Sequence, residues 1–211
     1  MMAEVIGEGP DSKAKESGRD GAKVSSQRIA ADDPRVVAGA AGDPQAIEAL
    51  CRALLPRVRN LVRFLVRGDA DVDDLAQDGI IEVLRSLQSF RGDSAFTTWA
   101  DRIVVRTTLH SQRRARARAV QLRLVQSERA EQGPAVVAVD SFGYLARRHA
   151  VRALDELPEE QRSAVVLHHV VGMSVPEVAE SLAVPFETAK SRIRLGMAKL
   201  RKGLSGGEHD G

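Results

Sequence analysis

The sequence predicts an all-α protein built from two small helical domains that are joined by a flexible linker. Aromatic residues make up only 3% of the 211 residues, whereas Ala, Val, Leu and Arg are abundant, and this composition favours amphipathic helices over β-sheets. Apolar residues recur at helical spacing in two stretches of the chain. The periodicity fades between them, around Gly133 and Pro134, so residues 120–141 are predicted to be the linker.

The first domain is predicted to occupy residues 35–119 and to contain three helices. The first helix starts at Asp43, an N-cap residue that is followed by proline at the first helical position. Pro56 lies within the same apolar pattern and predicts a kink or a break there. Gly68 and Asp69 separate the first helix from the second, which is expected from about Asp71 to about Phe90, and the third is expected over about 94–119.

The second domain is predicted to occupy residues 142–204, where the apolar spacing resumes. Within it, Pro158 opens a helix that carries two glutamates in its first turn, a favourable place for negative charge. The two ends of the chain, residues 1–34 and 205–211, hold few large apolar side chains. We expect both ends to be disordered tails.

The charges of the chain are segregated along the sequence although the net charge is only +2. Residues 101–130 hold eight Arg and two acidic residues, whereas residues 69–78 hold five Asp and no Lys or Arg. The single cysteine, Cys51, cannot form an internal disulfide, which fits a reducing cytoplasm. No run approaches the roughly 18 apolar residues of a membrane span, so no membrane insertion is expected.

The most specific local pattern is a short helix, a turn and a basic helix near the C-terminus. Ser174 and Glu177 are spaced as a capping box for the short helix, and Pro185 starts the longer one. This order is that of a helix-turn-helix that binds duplex DNA. A basic amphipathic helix that merely keeps its face solvated is the alternative, and Ala183 stands where such turns often place glycine.

A second candidate surface combines aromatic and basic residues, and a third is acidic. The arginine run from Arg106 to Arg118 follows Phe96 and Trp99 and could contact phosphates and unpaired bases, although the two rings, three residues apart on one helical face, are by default core residues. Asp71 and its acidic neighbours are expected from helix capping, and no histidine or cysteine accompanies them. We therefore expect no metal site, no cofactor, no catalytic residues and no enzymatic activity.

Five motifs, in this order and within this length, resemble those of the sigma-70 superfamily of RNA polymerase sigma factors. They are Asp71-Val-Asp-Asp-Leu-Ala-Gln-Asp78, Ser89-Phe-Arg-Gly-Asp-Ser-Ala-Phe-Thr-Thr-Trp99, Leu154-Asp-Glu-Leu-Pro-Glu-Glu-Gln-Arg162, Met173-Ser-Val-Pro-Glu-Val-Ala-Glu-Ser-Leu182 and Lys190-Ser-Arg192. The chain looks most like the extracytoplasmic-function (ECF) group, which keeps only sigma regions 2 and 4. The resemblance implies a factor that binds core RNA polymerase, directs it to specific promoters and assists their opening, in response to a stress or envelope signal.

The resemblance implies that residues 35–119 correspond to sigma region 2, which docks on polymerase, recognises the minus-10 element and helps to melt it. Docking on the clamp helices of the largest polymerase subunit would use Asp71, Asp74, Leu75, Gln77, Asp78 and Glu82. Contacts to the minus-10 element would use Phe90, Trp99, Arg102, Arg106, His110, Arg113 and Arg114. Similar proteins often carry Asn where this chain has Arg106, so the preferred base is left open.

The resemblance implies that residues 142–204 correspond to sigma region 4, which recognises the minus-35 element and contacts the polymerase flap region. The residues expected nearest that DNA are Glu187, Thr188, Lys190, Ser191, Arg192 and Arg194. Phe186, Glu187 and Ala189 depart from the small-Gly-Thr-Val run that usually precedes Lys-Ser-Arg, which leaves the base contacts open. The resemblance also implies an anti-sigma factor as partner, and a cytoplasmic protein that joins the nucleoid when active.

Two other readings explain parts of the sequence. An ordinary helix-turn-helix regulator would bind duplex DNA, usually as a dimer, but would have no use for the acidic helix and the aromatic, arginine-rich segment. A helical adaptor would bind only protein and leave both basic faces solvated. Salt-dependent DNA binding would argue against the adaptor.

Overall fold

The computed structural model describes residues 28–123 and 141–205, which fold into helices and connecting loops with no strand among them. This confirms the predicted all-α class. The helices are α1 (Pro34–Ala40), α2 (Pro44–Leu65), α3 (Val72–Ser86), α4 (Phe96–Arg123), α5 (Ser141–Asp155), α6 (Glu159–Val165), α7 (Val175–Leu182) and α8 (Phe186–Ser205). A short 3₁₀ turn, Leu87–Ser89, follows α3, and a π-helical turn, Val166–Val170, follows α6.

Helices α1 to α4 form the first bundle, in which α3 packs against both α2 and α4. Its core consists of fully buried apolar side chains from all of these helices, among them Val36, Leu50, Leu54, Val58, Val62, Leu65, Val83, Phe96 and Val104. One ion pair fixes α2 against α4: Arg57 donates two hydrogen bonds to the carboxylate of Asp101, at 2.9 and 2.5 Å. Burial raises the pKa of Asp101, and the guanidinium of Arg57 opposes this by favouring the charged form.

Helices α5 to α8 form the second bundle, where α6 and α7 both pack on α8. Its core contains Leu157, Val165, Leu167, Val178, Ala189 and Ile193. Helices α6 and α8 approach so closely at Gly196 that a Cβ atom there would lie 2.6 Å from Cγ2 of Val165. Pro158 precedes α6, and Glu159 and Glu160 lie in its first turn as predicted.

The N-terminal boundary of the first bundle differs from the predicted one. Residues 28–34 were expected to belong to the tail, yet Ile29 is only 2% exposed in the core, and its carbonyl accepts a hydrogen bond from the backbone N–H of Thr97. Asp33 then caps α1 by accepting from the backbone N–H of Arg35. The rest of the predicted tail lies outside the described residues.

Three further differences concern helix boundaries. Helix α2 runs unbroken through Pro56, so the break, one of the two outcomes predicted there, is wrong, and packing of the apolar residues on both sides compensates for the missing N–H. Helix α4 extends to Arg123 and α5 begins at Ser141, so both ends of the predicted linker are helical and only residues 124–140 lie outside the description. Helix α8 ends at Ser205, and the predicted C-terminal tail beyond it is not described.

None of the described helices is both long enough and apolar enough to cross a bilayer.

Candidate nucleic-acid interface

Helices α7 and α8 and the turn between them have the geometry of a helix-turn-helix. The carboxylate of Glu177 accepts hydrogen bonds from the backbone N–H of Ser174 at 2.7 Å and from its hydroxyl at 2.8 Å, so the predicted capping box is present. These bonds, together with the nearby Arg102, lower the pKa of Glu177. The start of α7 is therefore fixed by its own sequence.

The turn closes on Ala183, which adopts the left-handed conformation with φ 53° and ψ 50°. The backbone N–H of Ala183 donates to the carbonyl of Glu180, and that of Val184 donates to the carbonyl of Ala179. This pair of bonds is the Schellman motif, whose left-handed position glycine usually occupies. Alanine therefore carries backbone strain here.

The first turns of α8 hold the six residues that the sequence assigned to minus-35 DNA. Ala189 and Ile193 face the core, which leaves Glu187, Lys190 and Arg194 exposed on the other side. The side chains of Thr188, Ser191 and Arg192 are half-buried. The six residues thus lie on one short helical segment, and three of them have exposed side chains.

Of the seven residues assigned to minus-10 DNA, Phe90 lies in the loop before α4 and the other six lie along one side of that helix. The rings of Phe90 and Trp99 are 5.1 Å apart, and both contact the fully buried Phe96, at 5.3 and 5.5 Å. Phe96 is therefore a core residue, as one alternative held, whereas Phe90 and Trp99 are half-buried. The remaining five are exposed: Arg102, Arg106, His110, Arg113 and Arg114.

This side of α4 faces α7 across a cavity of about 450 Å³. Arg102 forms an ion pair with Glu177 at 2.7 Å, and Arg113 donates to the backbone carbonyl of Ser181 at 2.7 Å. Arg106 and His110 line the same cavity. The described arrangement therefore places the basic side of α4 against the helix-turn-helix.

The two bundles are also joined by a cluster of arginines around Asp155, which we call the interdomain cluster. Arg63 donates two bonds to the Asp155 carboxylate, at 3.1 and 2.6 Å, and Arg162 lies 3.0 Å from it. Arg67 donates to the backbone carbonyls of Asp155 and Leu157. Burial lowers the pKa of Arg162, whereas the hydrogen bond to Asp155 raises that of Arg63.

The acidic residues assigned to polymerase contacts lie on α3 and just before it. Asp71, Asp74, Gln77 and Asp78 are exposed, and Leu75 and Glu82 are half-buried. Asp71, Asp74 and Leu75 also line a cavity of about 540 Å³ that α6 closes from the other side. Ile81, an exposed apolar side chain, lies on the same helix and was not among the predicted site residues.

Sequence reasoning missed the interdomain cluster because its residues are far apart along the chain. Arg63 and Asp155 are separated by 92 positions, and no local pattern links them. It also missed α1, although Asp33-Pro34 repeats the Asp43-Pro44 start signal that identified α2. The described residues contain no group of three potential metal-binding side chains.

Two family profiles match the chain and together cover more than half of it. Sigma-70 region 2 matches residues 50–118, which lie in the first bundle. Sigma-70, region 4 matches residues 147–200, which lie in the second bundle.

Curated relatives and a solved structure agree with these profiles. The ECF RNA polymerase sigma-E factor of Escherichia coli (strain K12) is 35% identical over 161 residues, which cover 72% of this chain and 83% of that protein. The ECF RNA polymerase sigma factor SigM of Mycobacterium tuberculosis is 34% identical over 174 residues, which cover 81% of this chain and 83% of that protein. The sigma factor RpoE of Bartonella quintana, solved in complex with the anti-sigma factor NepR, matches with a TM-score of 0.51 and 26% identity, covering 75% of this chain and 96% of that one. The chain therefore belongs to the ECF group of sigma-70 factors, the regulators that direct RNA polymerase to promoters.

Proposed function

We propose that this sigma factor holds the promoter at two points and core polymerase at a third, and that each point is one of the surfaces described above. The observation that carries the proposal is the separation of charge. A group of exposed acidic residues lies on α3 and just before it, whereas groups of exposed basic residues lie on α4 and α8. The sigma factor acts on DNA by binding energy alone, without enzymatic chemistry, and works in the cytoplasm, where polymerase is found.

Helix α3 is the proposed polymerase-binding surface, docking on the clamp helices of the largest subunit. The carboxylates of Asp74 and Asp78 are four residues apart, so they lie on one face of the helix and can meet a basic partner together. Ile81 adds an exposed apolar group to this helix. A surface that combines carboxylates with an apolar residue suits a protein partner better than nucleic acid, because DNA phosphates repel it.

The start of α4 is the proposed minus-10 surface. Phe90 and Trp99 keep part of their rings accessible, and Arg102 and Arg106 lie one and two turns further along the helix. Aromatic faces stack on unpaired bases and arginines bind the adjoining phosphates. This combination favours single-stranded over duplex DNA and so offsets an unstacking cost of a few kcal/mol.

Helix α8 is the proposed minus-35 surface, with its N-terminal turns in the major groove. Lys190 and Arg194 are exposed and four residues apart, so both can reach the same stretch of backbone or base edges. Lys190 is the first residue of the Lys-Ser-Arg run of the family, and the buried Ile193, which follows the run, anchors it to the core. Flap contacts would be made by the same bundle.

Promoter engagement requires the described arrangement to open. In the described arrangement Arg102 and Arg113 bind Glu177 and Ser181 of α7, and these bonds compete with contacts to minus-10 DNA. We propose that polymerase binding separates the bundles and that an anti-sigma factor opposes this. The anti-sigma partner is inferred from the Bartonella relative, which was solved with one.

Reconstituted transcription tests the proposal. Purified protein plus core polymerase should start transcripts at particular promoters of a library, whereas neither component should do so alone. Arg192→Ala and Lys190→Ala should each weaken binding to minus-35 duplexes while core-polymerase association stays intact, because both side chains belong to the DNA surface only. Equal loss of both activities would indicate misfolding, and a library that yields no promoter-specific transcript would refute the proposed function.

A further inference from the structure

Helix α8 begins with a large apolar ring at its N-terminal end. Phe186 is the first residue of the helix and is 46% exposed, although an aromatic side chain that served only the core would be covered. Its ring centroid lies 5.9 Å from the ammonium nitrogen of Lys190. The two residues are four apart, so ring and ammonium form one surface on the first turn of the helix.

We propose that Phe186 is a specificity-determining residue, whose ring contacts the C5-methyl group of a thymine in the minus-35 element. The inference rests on the proposed function of α8 and adds a base contact to it. In a helix-turn-helix the N-terminal residues of the second helix are the ones that reach the base edges. Phe186 has this position, and the neighbouring Lys190 supplies the charge that attracts a phosphate backbone.

The chemistry of the ring selects thymine among the four bases. A phenyl group neither donates nor accepts conventional hydrogen bonds, so it gains nothing from the polar edges of guanine, cytosine or adenine. Thymine alone presents a methyl group in the major groove, and phenylalanine is among the side chains that contact it. Burying one methyl-sized group corresponds to about a fourfold change in affinity.

A protein partner for this ring is less consistent with its surroundings. Lys190 and Arg194 lie on the exposed side of the same helix and give it positive charge, which nucleic acid neutralises. Glu187, the one acidic neighbour in the first turn, can accept from the amino group of a cytosine beside the thymine. The occupant is therefore duplex DNA, and the contacted group is a methyl.

Uracil scanning tests the contact directly, because uracil pairs like thymine and lacks only the methyl group. The preferred minus-35 sequence is first selected with wild-type holoenzyme from a promoter library. Each thymine is then replaced singly by uracil, and the affinity of wild-type holoenzyme and of Phe186→Ala holoenzyme is measured for each duplex. At one position uracil should weaken wild-type binding about fourfold and leave Phe186→Ala binding unchanged.

Leu195→Ala is the matched control. Leu195 is also 46% exposed on α8, but it lies nine residues further on, two and a half helical turns away and on the opposite side. The Leu195→Ala holoenzyme should keep the fourfold response to uracil at the position that depends on Phe186. Thermal melting of both variants shows whether the second bundle stays folded, and Phe186→Leu should retain part of the response because it keeps an apolar contact.

The outcomes separate the two proposals. If no preferred minus-35 sequence emerges, the proposed function fails and this inference fails with it. If a sequence emerges but lacks thymine, or if Phe186→Ala loses affinity equally for thymine and uracil duplexes at every position, only the inference is overturned. The second result would mean that the ring merely positions Lys190.

Discussion

Replacing Ala183 by glycine is expected to stabilise the second bundle by about 0.5–1 kcal/mol. Ala183 has φ 53° and ψ 50° in the turn of the helix-turn-helix, and the left-handed conformation costs a residue with a Cβ about 1–2 kcal/mol. Its side chain is exposed, so removing the methyl group leaves no cavity. Glycine also makes the unfolded chain more flexible, and this offsets about 0.4–1 kcal/mol of the stabilisation that relief of the strain provides.

Gly172→Ala is the reciprocal substitution in the same bundle. Gly172 has φ 83°, and an added Cβ there would meet no atom within 4 Å. Only backbone strain therefore changes, and we expect a loss of stability of similar size, about 0.5–1 kcal/mol. The two variants differ in sign although each exchanges a single methyl group at a positive φ.

Urea unfolding of the full chain, followed by circular dichroism, measures both effects as shifts of the midpoint at constant slope. The shifts should be opposite, and the affinity of Ala183→Gly for minus-35 DNA should stay unchanged, because glycine keeps the Schellman bonds. If Ala183→Gly lowered the midpoint, or if Gly172→Ala raised it, the argument from backbone strain would be refuted.

Two further substitutions test packing and charge. Gly196→Ala should destabilise the second bundle, because a Cβ that lies 2.6 Å from Val165 Cγ2 forces overpacking of about 1–3 kcal/mol, which exceeds a helix-propensity gain of about 1 kcal/mol. Urea unfolding measures the loss of stability. The loss caused by Gly196→Ala should be smaller in a protein that already carries Val165→Ala than in the wild type. An equal loss in both would show that the contact with Val165 is not its cause. The pKa of Glu177 is lowered in the folded protein, so its contribution is complete above the unfolded value near 4.5 and is lost as the pH falls through the lowered value. Glu177→Gln keeps a capping side chain without the titration, so its melting temperature should fall less on acidification than that of the wild type, and identical pH profiles would exclude this role.

The elements that sequence reasoning could predict are those whose signals are local. The Asp43-Pro44 start of α2 and the Ser174–Glu177 capping box each lie within four residues, and the structure has both. The left-handed strain at Ala183 was also expected, because a helix-turn-helix fixes the backbone at that point whatever residue occupies it. Local chemistry determines such features before any tertiary contact forms.

The features that were missed depend on contacts between distant residues. Ile29 lies in a polar stretch of sequence, so its composition indicated a tail, and only its position against the start of α4 shows that it is buried. Pro56 carries a strong local signal for a kink or break, and helix α2 continues through it because buried residues on both sides hold the helix in place. Tertiary packing overrides a local preference when the apolar area that it buries is larger than the local cost.

The contacts between the two bundles differ in strength, and the difference bears on how the proposed opening could occur. The Arg102–Glu177 pair is exposed on both sides, at 49% and 39%, and such pairs contribute about 0–1 kcal/mol. A DNA phosphate can replace the carboxylate of Glu177 at little cost, since it offers Arg102 an equivalent charge. The Arg63–Asp155 pair is less exposed, at 16% and 27%, and is bidentate. Neither of its residues belongs to a proposed DNA surface, so promoter DNA cannot compete for it. Of these two contacts, the Arg63–Asp155 pair is therefore the one that DNA cannot displace, and a partner other than DNA must supply the energy that separates it.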